Sequence, residues 1–193
     1  MRETVLERVT KETDIRIGLN LDRTGEGSIA TSIGFFDHML TLFAFRAGIT
    51  LDIACEGDLH IDGHHTVEDV GIALGQAIGK TLGDKRGIAR YGSVSLPMDE
   101  ALVHCVLDIS GRGFLVFHAE LPAQQVGAFE TELVEEFFRA VALQAGITLH
   151  INLAYGKNTH HIIEAMFKAF GVALGQAISL TGSGVIPSTK GVL

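Results

Sequence analysis

The sequence predicts an α+β protein built from two copies of one unit, and two repeated phrases carry that prediction. The motif His64-His65-Thr66-Val67-Glu68 returns as His160-His161-Ile162-Ile163-Glu164, 96 positions later and with its internal spacing unchanged. The helical segments behind the two motifs end in nearly the same letters, GIALGQAI at 71–78 and GVALGQAI at 171–178. We therefore expect a tandem duplication in which each copy consists of strand, strand, helix, strand and helix.

A third phrase helps to place the boundary between the copies. RAGITLDI at 46–53 recurs as QAGITLHI at 144–151, an offset of 98. The offset rises from 96 at the motif to 100 at the closing phrase, which predicts a second motif helix longer by about one turn, or 4 residues. We assign residues 1–90 to the first repeat and residues 91–193 to the second, and expect both to form one compact domain.

The elements of the first copy follow from local periodicity. Apolar residues occupy every second position from Ile15 to Leu21, which is typical of a strand with one solvated face. Residues 23–27 contain two glycines and predict a turn, after which residues 28–33 should form a second strand. The run from Phe35 to Phe45 has apolar side chains at helical spacing and stops before Gly48, so it predicts a buried helix with a glycine cap. Residues 49–55 alternate again.

The second copy repeats this order. Its predicted strands are Tyr91–Leu96, Ala101–Ile109, Phe114–Leu121 and Ile147–Ala154, and its predicted helices are Phe129–Ala145 and the segment that begins at His160.

Each motif helix should have one core face and one ligand face. On a helical wheel His64, His65 and Glu68 lie together, opposite an apolar stripe. Gly71 and Gly75 fall on or near the ligand side, where the missing side chains would let another element approach closely. The apolar stripe consists of Val67, Val70, Leu74 and Ile78.

Composition limits the classes of function. The chain has 193 residues, 47% of them apolar, and a formal charge of −8. That charge argues against a general role in binding nucleic acid or anionic membranes, which needs a basic surface. The N-terminal residues lack the apolar core of a signal peptide, and no apolar run approaches a membrane span of about 20 residues. Cys55 and Cys105 each stand alone in an alternating run of apolar and polar residues. We expect a cytoplasmic protein with two buried thiols.

The doubled motif predicts metal binding. Imidazole and carboxylate groups three or four residues apart on a helix can share one ion, and a donor set without thiolate suits Mn, Fe, Co, Ni or Zn. Adjacent histidines point about 100° apart, so His64 and His65, like His160 and His161, should serve two different sites. Each site would then lie between two helices or between two chains. A single His-His pair would more often only cap a helix, but two copies at one spacing favour metal.

Other polar residues could complete these sites. His38 interrupts an apolar helix, where a hydrogen-bonded core histidine is the common outcome and a metal ligand is the alternative. Its counterpart at offset 98 is Glu136, which is also able to bind metal. Lys168 lies two turns after His160 on the same helix face, where an anion beside the metal would meet it. The tail segment Ser188-Thr189-Lys190 is either frayed or a phosphate clamp.

With these residues assembled, the chain resembles the imidazoleglycerol-phosphate dehydratases of histidine biosynthesis, from about Arg8 to Leu193. The resemblance rests on many motifs that occur in one order. They are KET at 11–13, GFFDHML at 34–40, DGHHTVED at 62–69, RYG at 90–92, PMDE at 97–100, DISGR at 108–112, HHIIEAMFKAF at 160–170 and PSTKG at 187–191.

The resemblance implies a fold and an activity. Each half would be a four-stranded sheet with two helices, and the helices would pack between the two sheets. The family removes water from D-erythro-imidazole-glycerol phosphate to give imidazole-acetol phosphate. It uses two Mn²⁺ ions per active site, and its sites form between subunits of a homo-oligomer of 24 chains.

The resemblance also implies roles for particular residues. Glu12 matches the carboxylate assigned to acid–base work and substrate contact, and Glu68 and Glu164 are grouped with it as catalytic. Many relatives have histidine where this chain has Glu136, so the eighth ligand is a carboxylate here or is absent. The implied phosphate-binding residues are Arg90, Arg112, Lys168, Ser188, Thr189 and Lys190. The implied metal ligands are His38, His64, His65, Glu68, Glu136, His160, His161 and Glu164.

Two other classes of function remain open at this point. A metal-assembled structural oligomer would dissociate on chelation but leave the substrate unchanged. A binuclear metallohydrolase would release inorganic phosphate.

Overall fold

Two four-stranded sheets and four helices form the computed structural model, which describes residues 1–193. In chain order the first half contains β1 (Glu3–Val9), β2 (Thr13–Asn20), β3 (Ile29–Ala30), α1 (Gly34–Ala47), β4 (Thr50–Gly57) and α2 (His64–Leu82). The second half contains β5 (Tyr91–Met98), β6 (Ala101–Asp108), β7 (Phe114–His118), a short hairpin of β8 (Gln125–Val126) and β9 (Phe129–Glu130), α3 (Leu133–Ala145), β10 (Thr148–Tyr155) and α4 (Thr159–Ile178).

The two sheets have the same topology, which confirms the predicted duplication. The first has the strand order β1-β2-β4-β3 and the second has β5-β6-β10-β7. In each sheet only the last pair is parallel, β3 with β4 and β7 with β10. Each four-stranded sheet therefore has three strands ahead of the first helix of its half, so the predicted unit of strand, strand, helix, strand and helix was one strand short.

The helices lie between the sheets, as the resemblance implied. Helix α1 packs against α4, and α2 packs against α3, so each helix contacts a helix of the other half. The apolar stripe of α2 is fully buried, and 49 buried apolar side chains form one continuous core. Phenylalanine rings from both halves meet in its centre, where the Phe137 and Phe167 rings stack with centroids 5.1 Å apart. Burial of such rings dominates core energetics.

Glycines permit both helix crossings, as predicted for Gly71 and Gly75. A Cβ added to Gly75 would lie 2.8 Å from the carbonyl oxygen of Val141 on α3. A Cβ on Gly171 would lie 2.5 Å from the carbonyl oxygen of Phe43 on α1. No real Cβ approaches a backbone oxygen so closely, so these crossings require glycine.

Three local predictions were wrong. Strand β1 was not predicted, because its outward side carries Val5 and Val9 while its half-buried side carries Arg8, which obscures the polar alternation. The predicted strand at 28–33 is reduced to β3, because the backbone N–H and hydroxyl of Thr31 both donate to the Asp37 carboxylate and turn the chain into α1. Helix α3 begins at Leu133 rather than Phe129, which sits in the β8–β9 hairpin and packs on the rings of α1.

The prediction of a longer second motif helix was also wrong. Helix α2 has 19 residues and α4 has 20. Between the motif and the closing phrase α4 does gain 4 residues, but α2 continues for another 4 residues past Ile78 to Leu82, whereas α4 ends at Ile178. The 4 extra residues in α4 therefore move the closing phrase toward the C-terminal end of the helix, but they do not make α4 a turn longer than α2.

Both cysteines are buried and free, as expected. Burial raises the pKa of Cys55 to about 11 and that of Cys105 to about 12, so both thiols stay protonated and unreactive. None of the four helices combines the length and the apolar character needed to span a bilayer.

Candidate metal centre and active site

Three of the predicted ligands meet where α1 crosses α4. The ligand atoms of His38, His160 and Glu164 all lie within 4.8 Å of one another. Glu164 Oε2 is 3.7 Å from His38 Nε2 and 3.2 Å from His160 Nε2. His38 is half exposed, not a core histidine, while Glu164 is only 8% exposed. Two imidazoles and one carboxylate opening toward solvent form a donor set that fits a divalent transition ion.

Local interactions at the start of α4 orient His160. The Asn158 side chain caps the helix by accepting hydrogen bonds from the backbone N–H groups of His160 and His161. The Phe35 ring of α1 packs edge-on against the His160 imidazole, with centroids 5.1 Å apart. The close crossing at Gly171 then brings α1 near enough for His38 to face the same carboxylate.

The charge of Glu164 is maintained by a partly buried lysine. Burial opposes ionisation of Glu164, but the hydrogen bond and charge of Lys168, and after them those of His160, outweigh it, so the pKa of Glu164 lies below its ordinary value. The Lys168 side chain is 14% exposed and its ammonium also lies 3.4 Å from the Met98 sulfur. Lys168 is thus on the ligand side of α4, beside the carboxylate that would hold a metal.

The equivalent group on α2 is less complete. His64 Nε2 lies 3.9 Å from Glu68 Oε2, and both side chains are about half exposed. Glu136 on α3 does not join them, because its carboxylate lies 3.6 Å from Arg139 Nε, one turn along its own helix. The α1–α4 crossing therefore presents one compact three-residue group, and the α2–α3 crossing presents one open pair.

The second histidine of each motif faces a different set of carboxylates. His65 Nδ1 bonds Asp58 at 2.9 Å, and its Nε2 lies 3.8 Å from Glu12. The hydrogen bond to Asp58, more than any other contact, raises the pKa of His65. The rings of His64 and His65 are 6.4 Å apart and nearly perpendicular, so they point toward separate positions.

His161 repeats this arrangement with other partners. Its Nδ1 bonds Glu100 at 2.7 Å, and its Nε2 lies 3.6 Å from Asp99. The bond to Glu100 raises the pKa of His161, and the same bond is the main cause that lowers the pKa of Glu100 to about 2.

A buried network fixes the turn that carries Glu12. Asp69, which follows the candidate ligand Glu68 on α2, accepts hydrogen bonds from Arg8 and from the Thr13 hydroxyl, each at 2.6 Å. Arg8 lies in β1 and Thr13 begins β2, so Asp69 holds both strands beside the turn. The hairpin that presents Glu12 to His65 is thereby tied to the motif helix itself.

Replacement of Asp69 by alanine is expected to lower the free energy of unfolding by about 3 kcal/mol, because it leaves the largely buried Arg8 charge unpaired. Chemical denaturation of the metal-free protein measures the change. The matched control is Asp84→Ala, which removes an exposed partner of Arg86 and should change stability by no more than about 1 kcal/mol. Equal effects of the two substitutions would show that Asp69 does not secure the hairpin.

The predicted phosphate-binding residues lie at the opposite end of α4, apart from Lys168. Arg90 forms a two-pronged pair with Asp108 and donates to the carbonyl of Pro187, so it holds the tail segment that contains Ser188, Thr189 and Lys190. Arg112 lies on the following turn and bonds Ser110. The Arg90 backbone N–H donates to Ala177, which is 13 residues after Glu164. At 1.5 Å per residue the two groups are about 20 Å apart within one chain.

Comparison with known proteins decides the family. A sequence model described as imidazoleglycerol-phosphate dehydratase matches residues 31–174. The chain is 59% identical over 191 residues to the imidazoleglycerol-phosphate dehydratase of an Exiguobacterium species, covering 99% of this chain and 98% of the relative. It is also 59% identical over 194 residues to the imidazoleglycerol-phosphate dehydratase of Acetivibrio thermocellus, covering 100% of this chain and 99% of the relative.

The chain belongs to the imidazoleglycerol-phosphate dehydratase family.

Solved structures of the dehydratase family have the same fold. The enzyme from Staphylococcus aureus superposes with a TM-score of 0.85 at 46% identity, covering 93% of this chain and 99% of that one. The enzyme from Pyrococcus furiosus, solved in complex with (S)-C348, also superposes with a TM-score of 0.85. Its sequence is 38% identical, and the match covers 97% of this chain and 100% of that one. The resemblance seen in the sequence motifs, and the duplicated fold it implied, are both confirmed.

Sequence reasoning missed four acidic residues around the dehydratase motif histidines. Asp58, Asp99 and Glu100 face His65 or His161, and Asp69 secures the hairpin of Glu12. Asp69, Asp99 and Glu100 were noted only as letters of family motifs. A signal was available for Asp99 and Glu100, because they occupy the tight turn between two predicted strands, but their distance to His161 depends on tertiary packing.

Proposed function

We propose that this chain removes water from D-erythro-imidazole-glycerol phosphate to give imidazole-acetol phosphate, with Mn²⁺ as cofactor, in histidine biosynthesis. The observation that carries the proposal is the group of His38, His160 and Glu164, gathered beside Lys168 in a chain of the dehydratase family. Neither a purely structural metal site nor a metallohydrolase accounts for the family membership.

The chain offers donors for two Mn²⁺ ions per active site. His38, His160 and Glu164 would hold one ion, and His64 and Glu68, with or without Glu136, would contribute to the other. His65 and His161 present their Nε2 atoms away from these groups and would complete the sites. When bound, Mn²⁺ supplies a Lewis acid that polarises the substrate and eases departure of its hydroxyl group.

The active sites are proposed to form between subunits of a homo-oligomer, with 24 chains expected from the resemblance. Two features support this. Except for Lys168, the phosphate-binding candidates lie at the far end of α4, where Arg90 is about 20 Å from Glu164 along the helix, which exceeds the reach of one small phosphate ester. The Nε2 atoms of His65 and His161 also meet no metal-binding histidine of their own chain. A second copy of the chain could bring its Arg90, together with the tail that Arg90 holds, next to the metal group. Further copies could supply the missing metal partners of His65 and His161.

The protein groups then have separate tasks in the reaction. Glu12 takes the proton from the middle carbon of the glycerol chain, and the hydroxyl on the neighbouring carbon, which is attached to the imidazole ring, leaves with the electron pair of its C–O bond as water, so the first product is an enol that becomes the ketone. Lys168 keeps Glu164 ionised. Binding of the phosphate orients the reacting carbon from a distance. The groups proposed to bind it are Arg90, Arg112, Lys168, Ser188, Thr189 and Lys190.

The deciding experiment incubates the Mn²⁺-loaded protein with imidazole-glycerol phosphate and follows the ketone product and inorganic phosphate together. Ketone without phosphate release is expected. Release of phosphate would support the metallohydrolase, and an unchanged substrate with an assembly that dissociates on chelation would support the structural oligomer. Either result overturns the proposal.

We also propose a cytoplasmic location and no nucleic-acid or membrane partner. The formal charge of −8 supports this, because binding to polyanions relies on a basic surface. The substrate is instead a small phosphate ester that meets local cations.

Glu136 provides a test that is specific to this chain. If its carboxylate replaces the histidine common among relatives, Glu136→Ala should reduce the tightly bound Mn²⁺ from two ions per active site to about one, because loss of one donor weakens a site that otherwise has only His64 and Glu68 nearby. Titration with Mn²⁺ against a competing chelator measures stoichiometry and affinity.

Glu135→Ala is the matched control, because Glu135 is on the same helix and also pairs with Arg139. Each substitution removes one of the two carboxylate partners of Arg139, so only a difference between them reports metal binding. Unchanged stoichiometry and affinity in Glu136→Ala would exclude Glu136 from the ligand set.

A further inference from the structure

In each half, one carboxylate bonds the Nδ1 atom of the second motif histidine. Asp58 Oδ2 lies 2.9 Å from His65 Nδ1, and Glu100 Oε2 lies 2.7 Å from His161 Nδ1. An ionised carboxylate only accepts hydrogen bonds, so both Nδ1 atoms must carry the proton. The lone pair of a neutral ring is then on Nε2, the atom left free to bind a metal ion.

The two halves obtain this bond from unrelated places in the chain. Asp58 directly follows β4, and the residue that follows the equivalent strand β10 is Gly156, which has no side chain. Glu100 instead lies in the turn between β5 and β6. The duplication alone would have copied one position, so the recurrence of the bond from two positions indicates that the histidines themselves require it.

Both carboxylates are themselves firmly held. Asp58 is 14% exposed, its backbone N–H donates to the carbonyl of Glu12, and its Oδ1 is buried without a partner, so His65 is the only side chain that bonds the carboxylate. Glu100 Oε1 accepts the backbone N–H groups of Lys157 and Asn158 at the start of α4, while its Oε2 bonds His161.

The first histidine of each motif has no such partner. Neither His64 nor His160 bonds an acceptor through Nδ1, and their Nε2 atoms face Glu68 and Glu164 on the same helix. These two rings can be oriented by the neighbouring carboxylate of the metal group. His65 and His161 point elsewhere and need a separate support.

We propose that Asp58 and Glu100 are positioning residues that fix the Nδ1-protonated tautomer of His65 and His161 and aim Nε2 at a metal ion. The inference rests on the proposed function, because it assumes that these histidines bind Mn²⁺. Acceptors of this kind behind a ligating histidine orient the ring and increase its basicity.

The test variant is Glu100→Gln. Its amide oxygen can still accept hydrogen bonds from the backbone N–H groups of Lys157 and Asn158, which directs the NH₂ group at His161 Nδ1 and moves the ring proton to Nε2. We expect Mn²⁺ affinity at the affected site to fall about 10- to 100-fold, measured by titration against a chelator without substrate. The Co²⁺-loaded variant should show an altered visible absorption spectrum, since one nitrogen ligand is lost. The unfolding temperature of the metal-free protein serves to separate this effect from loss of structure.

A double-mutant cycle shows whether Glu100 acts through His161. In a His161→Ala background, Glu100→Gln should cause no further loss of affinity, and the pair Asp58→Asn and His65→Ala repeats the test in the first half. The proposal is overturned if Glu100→Gln binds Mn²⁺ as tightly as the parent protein, or if its full effect persists without His161. Failure of the parent protein to bind Mn²⁺ would overturn the proposed cofactor as well, whereas normal binding without turnover would overturn only the proposed reaction.

Discussion

Replacement of Glu12 by glutamine should lower kcat about 10²- to 10⁴-fold while leaving Mn²⁺ content and the size of the assembly unchanged. Glu12 lies on the turn between β1 and β2, with Oε1 3.8 Å from His65 Nε2 and its side chain half exposed. Glutamine keeps the size of the side chain but cannot accept a proton from carbon. Steady-state kinetics, metal analysis and size-exclusion chromatography of the same preparation test all three expectations.

The matched control is Glu7→Gln on the preceding strand of the same hairpin. Glu7 is 70% exposed and faces Arg16 across the outer surface of the sheet, so its neutralisation should leave kcat within about a factor of two, as expected for exposed pairs. If Glu12→Gln retained the activity of this control, Glu12 would be removed from the acid–base role. Loss of Mn²⁺ in Glu12→Gln would instead assign it to metal binding.

Substitution of Gly171 by alanine should destabilise the protein by about 1–3 kcal/mol or more, although alanine favours a helix by about 1 kcal/mol. The added methyl would lie 2.5 Å from the Phe43 carbonyl oxygen and 3.0 Å from Arg46 Cβ, so α1 and α4 must move apart. Because His38 and Glu164 lie on these two helices, the same substitution should also weaken Mn²⁺ binding. Chemical denaturation and metal titration measure the two effects.

Gly79→Ala is the control for helix propensity. Its methyl group would meet nothing closer than the Gln144 carbonyl oxygen at 3.5 Å, an ordinary contact, so this variant should be as stable as the parent or slightly more stable. Identical behaviour of the two glycine variants would mean that the α1–α4 crossing tolerates a side chain. The metal group would then not depend on the close approach of the helices.

Local periodicity was enough to predict most of the fold. The strands with one polar face and the motif helices carry patterns that a single element imposes on its own residues, and the doubled motif revealed the duplication. The prediction failed where a distant contact decides the local structure. Strand β1 has a charged residue on its half-buried side because Arg8 pairs with Asp69 on α2, and Phe129 is apolar because it packs on α1 from a hairpin.

The sequence by itself identified the donors of the candidate site and their division between two positions, because the directions of adjacent side chains on a helix follow from helix geometry. It could not say which donors meet. The tertiary structure decided that α1 crosses α4, so His38 and Glu164 form a compact group, while Glu136 on the other crossing pairs with Arg139. It also brought Asp58 and Glu100 to His65 and His161. These contacts join residues that are far apart in the chain, and only the packing of the helices between the sheets sets their distances.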